Sequence, residues 1–462
     1  MKTNITKIGL LVFLISAFML NLTNAQVYTI GGIGQTRSNV PATARQGFKN
    51  IAALRIDMVA VGTTTGVNTP LTFNGFSVAY NGTSISDITS AKIYFSTNTS
   101  ANNADVFIDN GSISGNSISF GGNYVSTQRN NYYFWLLVDI APGAPVSNQI
   151  QIVANAVTIN GISYDITTNT FTGSTNIIAN TPLTGEYTVN PLVSNTGRNF
   201  SSVSNLFTAI NNNGIGDGGA TFIFKDDQFF VVNNPGTNAN FLTAQGATAT
   251  RPVLFKRSGD GNSRPTIFAS DDAGTEDALF GFTGASYITI DGMNFVTTAP
   301  GSAGTYSYGV HFRSTGQAAC NNNAVINCNF DFSQRRNTES AGNNIPHAVY
   351  FNATGANSIF CVANNNIISN NSVAGFPRGL AVRGNAFQRS DNNIFANNKI
   401  FDVTVSGIRI ENTINTYIYG NEIGNVTLTG NISGDNGYAG IRTASATGNT
   451  YIYNNKISNV SY

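Results

Sequence analysis

Residues 379–410, GLAVRGNAFQRSDNNIFANNKIFDVTVSGIRI, decide the fold. They open and close on the same pattern, a glycine followed by an apolar–any–apolar triplet, at 379–382 and again at 407–410. Between the two copies lies FANNKI (395–400), in which apolar positions flank two asparagines. Short apolar strands that recur with Asn and Gly turns at this interval are typical of a solenoid.

Both elements recur on either side of this stretch. The first element begins with Gly or Ala at residues 309, 348, 379, 407 and 440. The second element reads VINCNF (325–330), VANNNI (362–367), FANNKI (395–400), IYGNEI (418–423) and IYNNKI (452–457), with IDGMNF (290–295) as a looser copy. No L-x-x-L-x-L or W-D signature is present, which argues against leucine-rich and propeller repeats.

A coil of this kind would alternate its side chains between a narrow core and the outside. The expected inward pairs are Val310/Phe312, Val349/Phe351, Leu380/Val382, Ile408/Ile410 and Ile441/Thr443. Asparagine suits the turns because it adopts left-handed conformations and bonds the backbone. The alignment predicts an internal asparagine ladder of Asn365, Asn398, Asn421 and Asn455, with Cys328 at the same position in its own coil.

These units resemble the coils of right-handed parallel β-helix proteins with the pectate-lyase-like architecture. The resemblance covers about residues 190–462 and implies a fold rather than an activity. Upstream, Ser201 or Ser202 is expected to cap a helix over 201–212 that ends at Gly214. Its apolar face would close the N-terminal end of the solenoid.

The N-terminal half is predicted to be an antiparallel β-sandwich over residues 26–160. Turn clusters separate runs of β-branched and aromatic residues with a period of two. The strand-like runs are 53–61, 71–80, 90–97, 117–122, 132–140 and 148–159. The single Trp135 is expected in the core.

The stretches ALRIDMVAVG (53–62), PLTFNGFSVAYNGTS (70–84) and YYFWLLVDIAPGAP (132–145) carry a second resemblance. They are similar to the N-terminal domain associated with BNR-repeat neuraminidases of Bacteroidetes. That resemblance implies a β-sandwich and transfers no catalytic residue. No S-x-D-x-G-x-T-W repeat follows, so sialidase activity is not implied.

The first 25 residues predict a secretory signal peptide. Lys2 and Lys7 precede an apolar run over 8–20, and Thr23-Asn24-Ala25 places small residues before a cleavage point at Gln26. The predicted organisation is therefore a signal peptide (1–25), the sandwich (26–160), a linker or last strand (161–198) and an all-β solenoid (199–462). We expect the protein to be secreted or held at the outer cell surface. The last coil runs to Tyr462 with no capping element, as expected of a fragment or truncated gene.

The charge balance restricts the partners. Lys and Arg number 24 and Asp and Glu number 23, giving a net charge of +1. A net charge this close to zero predicts no strongly positive surface for binding nucleic acid. The sequence contains two histidines, His311 and His347, which is few for a histidine-based metal centre or catalytic triad. Cys320, Cys328 and Cys361 are expected to be buried small hydrophobic residues.

The candidate site lies on the outward positions of the first strand of each coil. If residues 310 and 312 face inward, one outward row reads His311, Tyr350, Ala381, Arg409 and Arg442. Its neighbour reads Arg313, Asn352, Arg383, Glu411 and Ala444. Successive members of a row would lie about 4.8 Å apart. The predicted ligand-binding residues are His311, Arg313, Tyr350, Arg383, Arg409, Glu411 and Arg442.

Arginine and aromatic side chains bind sugars through paired hydrogen bonds and stacking. We therefore expect a face that binds glycans or mediates adhesion. The alternative is a polysaccharide lyase, because the layout resembles β-helix lyases, with Arg409 or Arg442 as base. A hydrolase is disfavoured, since Glu411 has no acidic partner on its face. A second alternative is a passive scaffold in which these charges form a surface salt-bridge ladder.

Two acidic clusters are weaker candidates. One comprises Asp271, Asp272, Glu276 and Asp277, and the other Asp217, Asp226 and Asp227. Calcium prefers several oxygen ligands from such loops. Neither cluster carries an EF-hand or nonapeptide pattern, so we expect solvated loops and no cofactor.

Overall fold

The computed structural model describes residues 25–26, 29–61, 67–68, 71–96, 99, 106–126, 131–166, 173–232, 241–269, 278–296, 308–333, 346–353, 359–386, 388–427, 439–445 and 448–461. The chain divides into two compact units between Ile178 and Ala179. The division falls inside the segment 161–198 that the sequence marks as a connection. The predicted signal peptide lies outside the described residues, apart from Ala25.

The first unit is an antiparallel β-sandwich. One sheet contains, in order, Ile162–Asp165, Ile152–Ile159, Leu71–Tyr80, Ser117–Phe120 and Ser112–Ser114, with Tyr124–Ser126 also paired to Leu71–Tyr80. The other contains Thr29–Thr36, Ile51–Val61, Asn131–Ile140, Ile88–Ser96 and Val106–Asn110. Smaller elements are Thr43–Arg45, Gln149–Ile150 and Thr175–Ile178, the pair Ala25–Gln26 and Val67–Asn68, and the 3₁₀ turn Ile85–Asp87.

Aromatic side chains fill the space between the two sandwich sheets. Phe73 of the first sheet packs on Phe134 of the second, with ring centroids 4.7 Å apart.

Trp135 is buried, as predicted for a core residue. The Arg55 guanidinium lies 5.5 Å from the centroid of its ring. The period-two pattern of Leu71–Tyr80 thus buries alternate residues, as the sequence indicates.

The second unit is a parallel β-helix, whose described strands form three long sheets. Sheet A contains Asn199–Phe200, Leu183–Val189, Ile215–Phe224, Val253–Arg257, Ile288–Asp291, Ala324–Ile326, Ile367–Ser369, Ile394–Ala396, Thr416–Tyr419 and Thr450–Tyr453. Sheet B contains Phe229–Val232, Thr266–Ala269, Asn294–Val296, Asn329–Asp331, Ser372–Ala374, Lys399–Val403, Glu422–Thr427 and Lys456–Ser461. Sheet C contains Ala278–Thr283, Tyr308–Arg313, His347–Asn352, Arg378–Arg383, Ser406–Glu411 and Ala439–Ala444. Ser390–Asp391 pairs with Thr413–Ile414 in a short extra sheet.

The inward rows of sheet C stack as predicted as far as Ile408 and Ile410, whereas Ile441 is partly buried and Thr443 is exposed. Val310, Val349, Leu380, Ile408 and Ile441 are register partners in successive coils. Phe312 stacks between Phe282 and Phe351, with centroid distances of 4.4 and 4.5 Å. Each such side chain stabilises the fold by about 1.5–3 kcal/mol through burial of apolar surface.

The glycine at the second position of several sheet C strands has a steric cause. A Cβ added at Gly309 would lie 2.8 Å from the Phe330 ring of sheet B, and one at Gly379 would lie 2.4 Å from the Gly407 carbonyl oxygen. In these coils the backbone therefore lies too close to the core or to the next coil for a side chain. The equivalent positions hold Ala348 and Leu279 in their own strands, so the restriction applies coil by coil.

The predicted cap helix is present as α1, Val203–Asn213. The Ser202 side chain accepts a hydrogen bond from the Asn205 backbone N–H at 3.1 Å. Gly214 ends the helix at a φ of 66°. The buried face carries the predicted residues Val203, Leu206, Phe207 and Ile210.

A buried asparagine ladder runs along the turn between sheets A and B. The side chain of Asn398 donates to Asn421 Oδ1 at 2.9 Å, and that of Asn421 donates to Asn455 Oδ1 at 2.9 Å. Asn371 donates to Asn398 Oδ1 at 3.0 Å and begins this row of amide side chains. The Cys328 backbone N–H donates to Asn371 Oδ1, so Cys328 occupies the ladder position of its own coil, as predicted.

The prediction for Asn365 is wrong. Asn365 lies in a separate exposed row, between Asn322 and Asn392. Strand pairing aligns Val325 with Ile368, so 368–373 is the true copy of 325–330 rather than 362–367. The error arose because a second Asn turn precedes each sheet A strand and has nearly the same composition.

Candidate functional site

The outer face of sheet C brings both predicted rows into register. His311, Tyr350, Ala381, Arg409 and Arg442 pair in sequence across the coils. The neighbouring row of Arg313, Asn352, Arg383, Glu411 and Ala444 pairs in the same way. Alternation from the repeat therefore places these side chains on one face.

A third outward row was missed by the sequence analysis. It contains Ala278, Tyr308, His347, Arg378, Ser406 and Ala439. Tyr308 packs with Tyr350 in a cluster separate from the core. Strict alternation back from residue 310 assigns residue 308 to the inside. The alternation breaks at the intervening small residue, because its Cβ direction points into the core as that of residue 310 does: a Cβ at Gly309 would lie 2.8 Å from the Phe330 ring. In the sequence, only the recurring Gly or Ala indicated that break.

The first half of the face is a cluster of rings, named here the ring cluster: Phe241, Tyr308, His311, His347 and Tyr350. The Tyr350 ring stacks on His311 at 5.3 Å and on His347 at 4.4 Å, measured between centroids. Tyr308 lies 4.2 Å from His311. Phe241 meets His311 edge to face at 6.1 Å.

His311 is fully buried in this cluster. Within the described residues, neither of its ring nitrogens has a hydrogen-bond partner. Leaving a buried polar group without a partner costs about 1–3 kcal/mol. Burial and the neighbouring Arg313 lower the pKa of His311 to about 3, so its imidazole is neutral at physiological pH.

Phe241 covers one end of the ring cluster. A Cβ at Gly281 would lie 2.6 Å from the Phe241 ring, so the ring lies where that glycine leaves room on the outer face. The Arg313 guanidinium lies 5.0 Å from the centroid of the Phe241 ring. The predicted site residue Arg313 thus forms part of the edge of the ring cluster.

The second half is the arginine cluster, defined as Arg378, Arg383, Arg409 and Arg442 with Glu411. Arg409 Nη2 lies 2.8 Å and Arg383 Nε lies 3.1 Å from Glu411 Oε2. Among the described residues, Glu411 supplies the carboxylate that pairs with the guanidinium groups of Arg383 and Arg409. Arg442 extends the row into the next coil as the register partner of Arg409.

The electrostatics show how closely these cations are placed. Burial, with Arg409 next, lowers the pKa of Arg378 to about 9. Burial also lowers the pKa of Arg409, and Arg442 adds to the effect while Glu411 opposes it. Burial raises the pKa of Tyr350, against the pull of Arg383. Arginines that lower one another's pKa favour an anion between them.

The outer face of sheet C is less exposed to solvent than the sequence prediction of a binding surface implies. His311, Tyr350 and Glu411 are buried, and the side chain of Arg409 is 13% exposed. Arg383 is 38% exposed at its side chain, and Arg313 and Arg442 are partly exposed. The face is closed because rings and guanidinium groups on adjacent coils pack against one another, at a strand spacing of about 4.8 Å. The accessible part is therefore its arginine-rich edge.

The acidic cluster that the structure describes, Asp217, Asp226 and Asp227, does not assemble a metal site. Asp226 is buried and pairs with Arg257 at 2.6 Å. Asp227 accepts hydrogen bonds from the backbone N–H groups of Asn262 and Ser263, and Asp217 pairs with Arg251. The other cluster, 271–277, lies outside the described residues. In the ranges that the structure describes, no group of three His, Cys, Asp or Glu residues is placed to hold a metal ion.

The three cysteines are free and buried, as expected. Burial raises the pKa of Cys320 and of Cys328 to about 12. Thiols in this state are poor nucleophiles. In the described part of the chain no helix is both long and apolar enough to cross a membrane.

The fold and the site define an all-β solenoid protein with an aromatic and cationic outer face. No protein-family model and no curated protein matches the sequence. The resemblance of residues 45–160 to the neuraminidase-associated domain therefore stays a prediction.

Solved structures match the chain in part. A GH136 lacto-N-biosidase from Eubacterium ramulus matches at 13% identity and a TM-score of 0.42, over 59% of this chain and 56% of that one. The catalytic unit of a GH87 α-1,3-glucanase from Streptomyces thermodiastaticus matches at 10% identity and a TM-score of 0.33, over 87% and 69%. An alginate lyase from Paenibacillus matches at 12% identity and a TM-score of 0.30, over 56% and 96%. Similarity at this level carries no argument about activity.

Proposed function

We propose that this protein binds an acidic glycan through the outer face of sheet C. One observation carries the proposal, the convergence of four arginines from three successive coils on one face, where Arg383 and Arg409 share the carboxylate of Glu411. The chain as a whole has a net charge of only +1, so this positive field is local. A concentrated positive field of this kind recognises a matching anion.

The side-chain chemistry favours a planar anion. Guanidinium groups form paired hydrogen bonds with carboxylate and sulfate-like oxygens. Arg383 and Arg442 are partly exposed at the edge of the face. Glu411 fixes the orientation of Arg383 and Arg409 from beneath that edge.

The geometry favours a polymer over a small anion. The outward rows repeat along the solenoid axis, so a chain of sugars lying along that axis meets equivalent positions in successive coils. An extended polysaccharide contacts several of these positions at once, whereas a free anion contacts only one.

We further propose that the protein acts outside the cell, as a secreted or surface-held binding or adhesion protein. The Lys2–Ala25 pattern supports export. The test is the intact mass of protein recovered from the medium of an expressing host. A mature chain that begins at Gln26 supports export, and a chain that keeps residues 1–25 contradicts it.

A glycan array tests the binding proposal. Wild type is expected to bind uronate or sulfated polymers in preference to neutral ones, and Arg383→Ala and Arg442→Ala to lose that signal. Arg251→Ala is the matched control, because the Arg251 side chain is 37% exposed, like that of Arg383, but lies outside sheet C. Variants of sheet C that bind like wild type would show that the site is elsewhere.

A second candidate is a uronate lyase. The observation that favours it is the pKa of about 9 at Arg378, well below that of an ordinary guanidinium, in a buried position beside Arg409. Only the neutral form of Arg378, which is the minor form below about pH 9, can accept the proton beside the carboxylate. The glycosidic carbon–oxygen bond then breaks, its electron pair leaves on the oxygen, which takes a proton from solvent, and a carbon–carbon double bond remains in the sugar. Ultraviolet absorbance of that unsaturated product tests it, with Arg378→Ala expected to abolish the signal.

A further inference from the structure

The outer face of sheet A carries an uncharged strip along the solenoid axis. In the strands from Ala324–Ile326 to Thr450–Tyr453, two outward positions per strand form two rows in register from coil to coil. None of the side chains in these rows is charged. This surface, named here the sheet A strip, consists of Ala324, Ile326, Ile367, Ser369, Ile394, Ala396, Tyr417, Tyr419, Tyr451 and Tyr453.

Much of the sheet A strip is in contact with solvent, although Ala396 is buried. Ile367, in the second of its coils, is 39% exposed, and Tyr451 and Tyr453 are 43% and 47% exposed. The other members of the strip are partly exposed. A contiguous exposed apolar surface of this kind is typical of a binding site.

The four tyrosine rings of the strip are held in a regular array. Tyr417 stacks on Tyr451 at 4.8 Å between centroids, and Tyr419 stacks on Tyr453 at 5.1 Å. Stacking orients the rings in advance, so they lose little conformational entropy when a ligand binds. Their exposed carbon atoms suit the carbon-bound hydrogens of a sugar, and their hydroxyl groups suit its hydroxyl groups.

Rows of exposed asparagine side chains border the strip on both sides. Asn365 and Asn392 precede its strands, and Asn370 and Asn397 follow them. All four have a φ of 55–56°, so the left-handed turns fix the place of each amide along the border. An amide side chain carries two N–H donors and an acceptor oxygen, which match the hydroxyl groups of a sugar.

We propose that the sheet A strip binds an extended neutral polysaccharide that lies along the solenoid axis. The uncharged strip suits a polymer without carboxylate or sulfate groups, because a charged polymer would lose hydration there without gaining a counter-charge. The coil spacing of about 4.8 Å is comparable with the length of one sugar unit in an extended chain. Successive sugars therefore meet equivalent positions. This site lies on a different sheet from the arginine cluster and does not depend on the acidic-glycan proposal.

The size of the strip favours a polysaccharide over a second copy of the chain. Four coil spacings of about 4.8 Å and five residue steps of about 3.3 Å give a face of roughly 300 Å². A stable dimer buries about 800 Å² on each partner. Toward the N-terminal coils the strip ends at Asp291 and Lys256, which precede Ile326 in the same row and carry charge.

Affinity electrophoresis of the full chain in native gels that contain a soluble polysaccharide tests the inference. The neutral probes are hydroxyethyl cellulose, xyloglucan, a β-1,3-glucan and galactomannan. We expect at least one of them to retard wild type, and Tyr451→Ala and Tyr453→Ala to weaken that binding about tenfold. Phe229→Ala is the matched control, because the Phe229 ring is 68% exposed but lies on sheet B, so this variant should be retarded like wild type.

Ile367→Lys is a second variant that leaves every ring in place. It adds a charge at an exposed position of the strip, so we expect it to keep the fold and to weaken binding about tenfold. Equal retardation of Ile367→Lys and wild type contradicts the site, even if the tyrosine variants fail to fold.

The remaining outcomes separate this inference from its competitors. If no neutral probe retards wild type, the inference is overturned, whereas binding of acidic glycans at sheet C is unaffected. A dimer in analytical ultracentrifugation that Ile367→Lys dissociates would show that a second copy occupies the strip, which also overturns it. Arg383→Ala should bind the neutral probe like wild type, and a tenfold loss would mean that both ligands use sheet C.

Discussion

Glu411 is the residue on which the arginine cluster depends. Its carboxylate is buried and pairs with Arg383 and Arg409, so removing it breaks one buried ion pair, with Arg409, and one partly exposed ion pair, with Arg383. Breaking a buried pair in this way costs about 3–5 kcal/mol. We expect Glu411→Ala to lower the free energy of unfolding by that amount, measured by urea denaturation.

The matched control is Glu422→Ala. Glu422 pairs with Lys456 at 2.8 Å on the surface, where the Lys456 side chain is 72% exposed. An exposed pair contributes about 0–1 kcal/mol. Equal losses for the two variants would mean that the Glu411 pairs are no stronger than a surface contact.

His311 makes stability depend on pH. Its pKa is about 3 in the folded chain and about 6.5 when unfolded, so the unfolded state binds the extra proton between these values. Stability from this group is therefore full above pH 6.5 and is lost as pH falls toward 3. Between pH 7 and pH 5, wild type should lose about 2 kcal/mol more than His311→Gln. A His311 NMR signal that titrates near pH 6.5 in the folded protein would contradict this.

Sequence alone predicted part of this site. Alternation from the repeat placed His311, Tyr350 and Arg409 in one row, because side chains in a regular strand alternate. It missed Tyr308 and Arg378, since the alternation breaks at the small residue that follows each of them. Burial of the face was also not predictable, because it depends on how side chains of different coils pack.

At the scale of the element, the asparagine ladder holds the turn between sheets A and B. Asn398 accepts from Asn371 and donates to Asn421, and its amide also donates to the Ile368 carbonyl oxygen at 2.9 Å. Loss of this side chain leaves at least two buried groups without partners, at about 1–3 kcal/mol each. We expect Asn398→Ala to lower the free energy of unfolding by about 2–5 kcal/mol, measured by denaturant titration.

The exposed asparagine row supplies the control. Asn392 donates to Asn365 Oδ1 at 2.9 Å but lies in contact with solvent, and its φ is 55°. Asn392→Gly keeps that left-handed backbone accessible and removes only an exposed bond, so its effect should stay within about 0.5 kcal/mol. A loss as large as that of Asn398→Ala would show that burial does not distinguish the two rows.

The two Asn rows also show the limit of sequence alignment at this scale. VANNNI (362–367) and IISNNSV (367–373) have almost the same composition, so the repeat alone could not decide which one matches FANNKI. Only the pairing of Ile368 with Phe395 identifies the copy. Element identity was predictable from the pattern, whereas register within one irregular coil was not.

At the scale of the whole molecule, the core is a set of apolar rows that run through the coils. Ile423 and Ile457 are register partners in sheet B, but Ile423 is fully buried whereas Ile457 is 47% exposed. Ile423→Ala should therefore cost about 2–5 kcal/mol and Ile457→Ala about 1 kcal/mol. Thermal and urea unfolding measure both, and equal losses would contradict a continuous core.

The low charge content of the chain follows from the same architecture. Its rows are apolar inside, and its turns use Asn and Gly in place of Lys and Glu. Five of the sixteen arginines, namely Arg313, Arg378, Arg383, Arg409 and Arg442, nevertheless lie on the strands of sheet C.

The most direct test is calorimetric titration of wild type, Arg383→Ala and Arg251→Ala with the acidic oligosaccharide that binds most tightly on the array. We expect Arg383→Ala to weaken binding by at least about tenfold, because a charge-assisted hydrogen bond is lost. We expect Arg251→Ala to bind within about twofold of wild type. Binding of Arg383→Ala with the affinity of wild type would contradict the outer face of sheet C as the glycan site.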